Sequence, residues 1–255
     1  MTAPIVEIFS SIQGEGLLVG ERQVFLRFAG CNLCCAYCDT PGAQEVPGFA
    51  RVERTAGRQD FQEAPSTLSP EEVTAAVRRL VRPQPGLHHS VALTGGEPLL
   101  HTAFLVELLP RLGDLGLGAY LETNGSLGEE LAQVIAHLDA ICADIKLPSA
   151  TQQPSMWGAH ELFLLTMAAH EDPARLDFVK CIVVAETTSE EVDRAARLIA
   201  GLDPEMPLVL QPVTATRPDV RPPTPTQALH LQAVAKEHLT DVRIIPQTHR
   251  LGGYV

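Results

Sequence analysis

The 255-residue chain is short of several things. It has no apolar run approaching the roughly 18 residues that a membrane span requires. It has no dense basic stretch, and 31 acidic against 19 basic residues give a formal net charge of −12. A field of that sign does not attract phosphate backbones, so nucleic acid is not the expected ligand and the acidic balance serves solubility. The first residues, MTAPIVEIFSSIQGEG, lack the basic and apolar regions of a secretory signal, and the expected location is the cytoplasm. Thiols stay reduced there, so six cysteines point to metal or catalysis before disulfides. What is present is an ordinary globular composition, 45% hydrophobic and 20% charged, in a chain long enough to bury its own core.

Short aliphatic and β-branched runs alternate with longer amphipathic stretches. Residues 24–30, 90–96, 118–125, 140–148, 178–185, 207–214 and 242–249 read as strands entering loops. Residues 69–81, 126–138, 189–202 and 224–239 read as helices, with weaker helical patterns at 101–113 and 159–170. Ser69 and Ser189 suit N-caps, each followed by acids in the first turn. The βαβα order implies a mostly parallel α/β sheet, and strands apolar throughout suit burial on both faces. GCNLCC, TGGEP, ETNG, DIKLP, QPVT and PQTH follow successive strands. Doubly wound and barrel forms both place ligand loops at strand ends, but so many polar loops converge best when the sheet curves around one mouth, as in a barrel or partial barrel. One domain over 1–255 is expected. Residues 41–68 lack periodicity and read as an irregular insertion or mobile loop near the mouth, and 216–226 as a proline-rich turn.

The stretch GCNLCCAYCDT, residues 30–40, holds four of the six cysteines. Cys31, Cys35 and Cys38 have the spacing C-x3-C-x2-C, with Cys34 extra. Thiolates suit iron–sulfur clusters and zinc. A four-iron cluster on three thiolates leaves one iron open. Structural zinc wants four ligands, and adjacent Cys34 and Cys35 aim poorly at one ion from an extended loop. Structural zinc or a reactive thiol cluster stands as the alternative. Cys142 and Cys181, alone in apolar strands, read as packing residues, and Cys34 as a small soft core residue. In TGGEP (94–98) the glycines let backbone approach a ligand closely, although Gly-Gly alone usually marks a turn. QGEG (13–16) exposes backbone groups beside an amide and a carboxylate. Arg27 in an apolar strand needs a partner, either a bound carboxylate or an internal acid. Asp39-Thr40, read by itself, is a turn or cap at the end of the cysteine loop. His88-His89 reads as an exposed loop pair, Trp157 as packing, and His249 as a tail residue able to approach the pocket.

The cysteine spacing at the end of a first strand, with TGGEP after the next, resembles the radical S-adenosylmethionine (SAM) superfamily. FSSIQGEG (9–16), FLRFAGCNLCCAYCDT (25–40) and TGGEP are similar to its 7-carboxy-7-deazaguanine synthase family. The match is dense over the first 40 residues and sparser at QP (211–212) and PQTHR (246–250). The resemblance implies a modified radical SAM core, a partial (β/α)6-type TIM barrel. It implies a [4Fe–4S] cluster on Cys31, Cys35 and Cys38, and Mg²⁺ on Thr40. SAM contacts fall on Tyr37, Cys38, Asp39, Gly95, Gly96, Glu97, Asn124, Asp144, Lys146 and Gln211. Substrate contacts fall on Ile12, Gln13, Gly14, Glu15, Arg27 and Thr94. The implied activity is a carbon–nitrogen lyase of queuosine biosynthesis. It converts 6-carboxy-5,6,7,8-tetrahydropterin to 7-carboxy-7-deazaguanine with release of ammonia, the radical being carried by SAM and not by the protein. The implied partners are the pterin, a reducing donor such as flavodoxin or ferredoxin, and a second copy in a homodimer, with no nucleic acid or membrane. A radical SAM activase of a partner enzyme and a non-catalytic metal-binding module are the competing readings.

Overall fold

The computed structural model describes residues 1–170, 172–215 and 217–254; Thr216, at the head of the proline-rich turn, lies outside them. Its frame is a run of parallel strands, each followed by a helix: β2 (Arg22–Phe28), β6 (Ser90–Gly95), β7 (Gly118–Thr123), β8 (Ala140–Asp144), β9 (Leu176–Val183), β10 (Leu208–Pro212) and β11 (Val242–Ile244). The helices between them are α1 (Pro70–Val81), α2 (Thr102–Gly113), α3 (Gly128–Val134), the short α4 (Pro148–Thr151), α5 (Trp157–Ala169), α6 (Ser189–Ala200) and α7 (Pro225–Lys236). Six strand–helix units and a last strand make the expected α/β architecture. The sheet has two free ends, at β11 and at β4 (Phe61–Pro65), so the barrel is partial.

The amphipathic patterns build these helices as sequence physics requires. In α1 the residues Val73, Ala76, Val77 and Leu80 fall on one face and are buried against the sheet. Ser69 and Glu72 close a capping box at its start. In α6 the cap is Thr188, boxed with Glu191, and not Ser189; the helix begins one residue earlier than a serine cap would place it. No helix among the described residues is long and apolar enough to cross a membrane.

The N-terminal strand β1 (Ala3–Ile12) runs antiparallel to β2, and its end delivers residues 13–15 to the sheet's inner face. Residues 41–68 are not irregular throughout. They give β3 (Phe49–Glu53), parallel to β1, then β4 antiparallel to β3, and β5 (Thr67–Leu68) against β1. This hairpin is an edge extension with polar and exposed positions in both strands, so it carries no long apolar run. His88 corrects another reading. It is buried, with its Nε2 2.7 Å from the Ser10 hydroxyl, under the β1–β2 hairpin; only His89 faces outward.

Candidate active site

On the inner face of the sheet, side chains alternate with a fixed order. Phe25, Ala92, Tyr120, Cys142, Phe178 and Val209 come from six successive strands, and with Phe9 they pack into one buried cluster, the floor. Two residues further along the same strands stand Arg27, Thr94, Glu122, Asp144, Lys180 and Gln211, all lining a cavity of about 480 Å³. The two-residue period of a strand puts both sets on one face. The floor thus dictates that the polar layer sits above it, at the carboxyl ends where the loops gather.

The cysteine loop closes one side. Cys31, Cys35 and Cys38 are half-buried and line the cavity. The TGGE turn braces the loop through backbone. Gly96 N–H donates to Phe28 O at 3.0 Å, Glu97 N–H to Gly30 O at 2.8 Å, and Gly30 N–H to Ala43 O at 2.7 Å. A Cβ on Gly96 would stand 1.9 Å from Gly30 O, and Gly95 has φ +122 with Phe28 O 2.3 Å from where a Cβ would go. Only glycine fits either position. Asn124 ties the loop from the other side, its Nδ2 donating to Asn32 Oδ1 at 2.7 Å.

The opposite wall is a set of charges buried in one another's company. Lys146 Nζ donates to Asp144 Oδ2 at 2.6 Å and to the Tyr37 hydroxyl at 3.1 Å. Lys180 Nζ is 2.5 Å from Glu15 Oε2 and 3.6 Å from Asp144 Oδ1. Gln247 Nε2 donates to Glu15 Oε1 at 2.6 Å and to Asp39 Oδ2 at 2.8 Å. Burial would push the Glu15 carboxyl up, but the Lys180 ammonium and the hydrogen bonds from Lys180 and Gln247 outweigh it and hold the group well below the usual carboxylate range. Glu122 has no such cation in contact. Burial, with Glu15 nearby, pushes it up, while Thr94 and Gln13 donate to it at 2.8 and 2.7 Å. Lys146 and Lys180 are desolvated, yet Asp144 and their other neighbours keep both firmly protonated.

Comparison with known proteins bears directly on this arrangement. Residues 26–160 match the model of the Radical SAM superfamily. The chain is 46% identical over 252 residues to the 7-carboxy-7-deazaguanine synthase of Geobacter sulfurreducens, covering 98% of this chain and 97% of that one. The chain belongs to the radical SAM superfamily, in the 7-carboxy-7-deazaguanine synthase family. It is also 37% identical over 274 residues to the synthase of Methanothermobacter thermautotrophicus, covering 99% and 98%. QueE from Escherichia coli shares the fold at a TM-score of 0.58 and 22% identity, covering 98% of this chain and 95% of that one. Membership of the radical SAM superfamily brings a [4Fe–4S] cluster and SAM, with a reductant and a small-molecule substrate.

The residues fit those groups. Zinc would draw thiolates to about 3.8 Å of one another, given Zn–S bonds near 2.3 Å. Among the described residues, the one set of three such ligand atoms found within 4.8 Å is Glu15, Asp39 and His249, with no cysteine in it. The wider cysteine triad suits a cluster. Two buried acceptors on the wall, Asp144 Oδ1 and Gln211 Oε1, have no hydrogen-bond partner, and SAM carries ammonium and hydroxyl donors.

The sequence-predicted residues Ile12, Gln13, Gly14, Glu15, Arg27, Tyr37, Asp39, Thr40, Thr94, Gly95, Gly96, Asn124, Asp144, Lys146 and Gln211 all line this cavity with the three cysteines. Glu97 does not. It is fully buried behind the wall, accepting from Leu99 N, Thr123 Oγ1 and Asn124 N at 3.0, 2.8 and 2.7 Å, and burial pushes its carboxyl up to about 7. It ties the TGGE turn to the end of β7 from within. Cys34 is no core residue: it is exposed, its Sγ 3.6 Å from Gln44 Oε1 on the outer side of the loop. Arg27 reaches the cavity but has an internal partner, Glu7, at 2.9 Å. Both amide protons of Gln13 are spent on Gln23 and Glu122. Sequence reasoning missed Glu122, Lys180, Gln247 and Phe9. The first two were readable as Tyr-x-Glu and Phe-x-Lys, a floor residue followed two positions on by a charge.

Proposed function

We propose that the chain converts 6-carboxy-5,6,7,8-tetrahydropterin to 7-carboxy-7-deazaguanine with release of ammonia, as a lyase of queuosine biosynthesis. Full-length similarity to proteins of that name supports the reading. The observation that carries it is the pairing, in one cavity, of three loop thiols with the 13–15 loop, whose backbone and Glu15 carboxylate suit the mixed donor and acceptor edge of a pterin.

Cys31, Cys35 and Cys38 hold the cluster. When bound, the cluster supplies one electron and SAM a carbon-centred radical able to take hydrogen from a substrate carbon. The backbone at Gly95 and Gly96 and the side chains of Asn124, Asp144, Lys146 and Gln211 bind SAM on one wall, with Tyr37 and the chain at Cys38–Asp39 beside it. Ile12, Gln13, Gly14 and Glu15 receive the pterin, Thr94 contacts it from the strand end, and Arg27 faces its carboxylate. Thr40 offers its hydroxyl to Mg²⁺, with Asp39 Oδ1 3.1 Å from that hydroxyl. The protein's own contribution is to hold two small molecules in register and keep water out. The tail closes the site: Thr248 N–H donates to Gly14 O at 2.9 Å, and His249 covers Gly14 so closely that a Cβ there would collide. That closure favours a small substrate over the polypeptide an activase must admit. A flavodoxin or ferredoxin as donor, a homodimer and a cytoplasmic setting complete the reading from the resemblance.

The test is anaerobic reconstitution with iron and sulfide, then incubation with SAM, reductant and the carboxytetrahydropterin, with and without Mg²⁺. Deazapurine and ammonia should appear together, faster with Mg²⁺. Reductive SAM cleavage without deazapurine would overturn the substrate assignment, and no cleavage at all would overturn the enzyme reading.

A further inference from the structure

Polar contacts around the cavity form a closed belt. It leaves the cysteine loop at Tyr37 and passes through Lys146, Asp144, Lys180, Glu15 and Gln247. It returns to the same loop at Asp39. One half, Tyr37–Lys146–Asp144, belongs to the wall read as the SAM side. The other, Glu15 and the Gln247 that bonds it, belongs to the pterin side and closes onto the loop at Asp39. Lys180 joins the halves opposite the cysteine loop. Its position follows from register: on β9 it pairs directly with Asp144 of β8, and Phe178 below it fixes the inward face.

Lys180 is costly to bury, since an ammonium removed from water needs acids to compensate it. Both of its acids come from elements that meet different ligands. A purely structural ion pair has no reason to bridge the loop after β1 to the end of β8 across the cavity. Hydrogen transfer between two bound molecules needs their reacting carbons within about 3–3.5 Å, so small errors in relative placement are expensive.

We infer that Lys180 is a positioning residue that fixes the pterin-side carboxylate of Glu15 against the SAM-side carboxylate of Asp144, and so sets the register of the two ligands. This rests on the proposed function. Loss of the bridge frees Glu15 to shift while leaving the thiols, Gly95, Gly96 and Asn124 in place. SAM would then still be cleaved by the reductant's electron, but with the pterin out of line the adenosyl radical would take its hydrogen atom from the excess reductant or another donor in the medium and leave as 5′-deoxyadenosine, with the pterin unchanged.

The test uses the full reconstituted chain as wild type, Lys180→Met, Lys180→Arg, Glu15→Gln and the Lys180→Met/Glu15→Gln pair, which removes one stranded carboxylate should the single variant fold poorly. Pterin KM, kcat and 5′-deoxyadenosine formed per deazapurine are measured per reconstituted cluster. In Lys180→Met, KM should rise about 10-fold or more and the deoxyadenosine ratio severalfold, since truncating one partner of a buried charge pair strands the other. Arginine should recover part of both, and the double variant should be no worse than Glu15→Gln by more than about 2-fold. If Lys180→Met, or the double variant in its place, shows only lower thermal stability or cluster occupancy, with KM and ratio at the values of its Lys180 parent, the inference fails. Wild-type protein that makes no deazapurine refutes the proposed function and takes this inference with it.

Discussion

Replacing Gly96 with alanine tests the claim that the TGGE turn builds the cluster site through backbone. The added Cβ would lie 1.9 Å from Gly30 O, 2.6 Å from Gly30 C and 3.0 Å from Ala43 O. All three are main-chain atoms, so no side-chain rotation relieves the contact, and the loop must move by about 1 Å in a close-packed interior. That movement strains two hydrogen bonds, Gly96 N–H to Phe28 O and Glu97 N–H to Gly30 O. At about 1–3 kcal/mol for each buried group left unsatisfied, the substitution costs about 2–6 kcal/mol. For a chain of this size, with about 2–4 °C per kcal/mol, that lowers the melting temperature by roughly 4–24 °C. Residues 30 and 31 are consecutive, so the same displacement misplaces the first thiol. Iron and sulfide per chain after anaerobic reconstitution should fall below half of wild type. Gly158→Ala, where nothing stands within 4 Å of the added Cβ, is the control and should keep full cluster content. Wild-type melting temperature and iron content in Gly96→Ala would refute the reasoning.

Other outcomes follow from the same geometry. Cys34→Ser should leave iron content and turnover unchanged, because its thiol faces outward beside Gln44; metal analysis decides it. Burial, helped by the Arg22 cation, pushes His88 down to about 4, so the folded state holds it neutral while the unfolded chain protonates it near 6.5. Stability is therefore present above pH 6.5 and lost as pH falls toward 4, about 2 kcal/mol by pH 5. Denaturant titrations at pH 7 and pH 5 should show that loss in wild type and its near absence in the difference between the two pH values for His88→Asn. Thr188→Ala opens the capping box of α6 and should cost about 1 kcal/mol with turnover unchanged.

The sequence announced the parallel frame because each inner strand is apolar on both faces, and the loops because glycine and polar residues follow each strand. It announced the cysteines because three thiols at that spacing have few other uses. It did not announce the β3–β4 hairpin, whose edge strands alternate too weakly to register beside exposed Phe49 and half-buried Phe61. Lys180 was passed over because a lysine amid FVKCIVV reads as an interruption, and only the curl of the sheet shows that it meets Glu15 from the far end of the chain's first segment. Glu97 was placed on the wall because its neighbours Gly95 and Gly96 are there; one residue of turn sends it behind them. Cys34, His88 and Ser189 failed for the same reason. Sequence names the residue type at a position, while solvent exposure and the one-residue phase of a cap depend on what packs against it.

The measurement that tests the account most directly compares wild type with the Cys31/Cys35/Cys38 triple alanine variant. Both are reconstituted without oxygen and given SAM, reductant, Mg²⁺ and the carboxytetrahydropterin. The account predicts about four irons per chain, with 7-carboxy-7-deazaguanine and ammonia in equal amounts from wild type, and neither cluster nor product from the variant. Product from the cysteine-free variant, or a fully loaded wild type that cleaves SAM yet leaves the pterin unchanged, would contradict it.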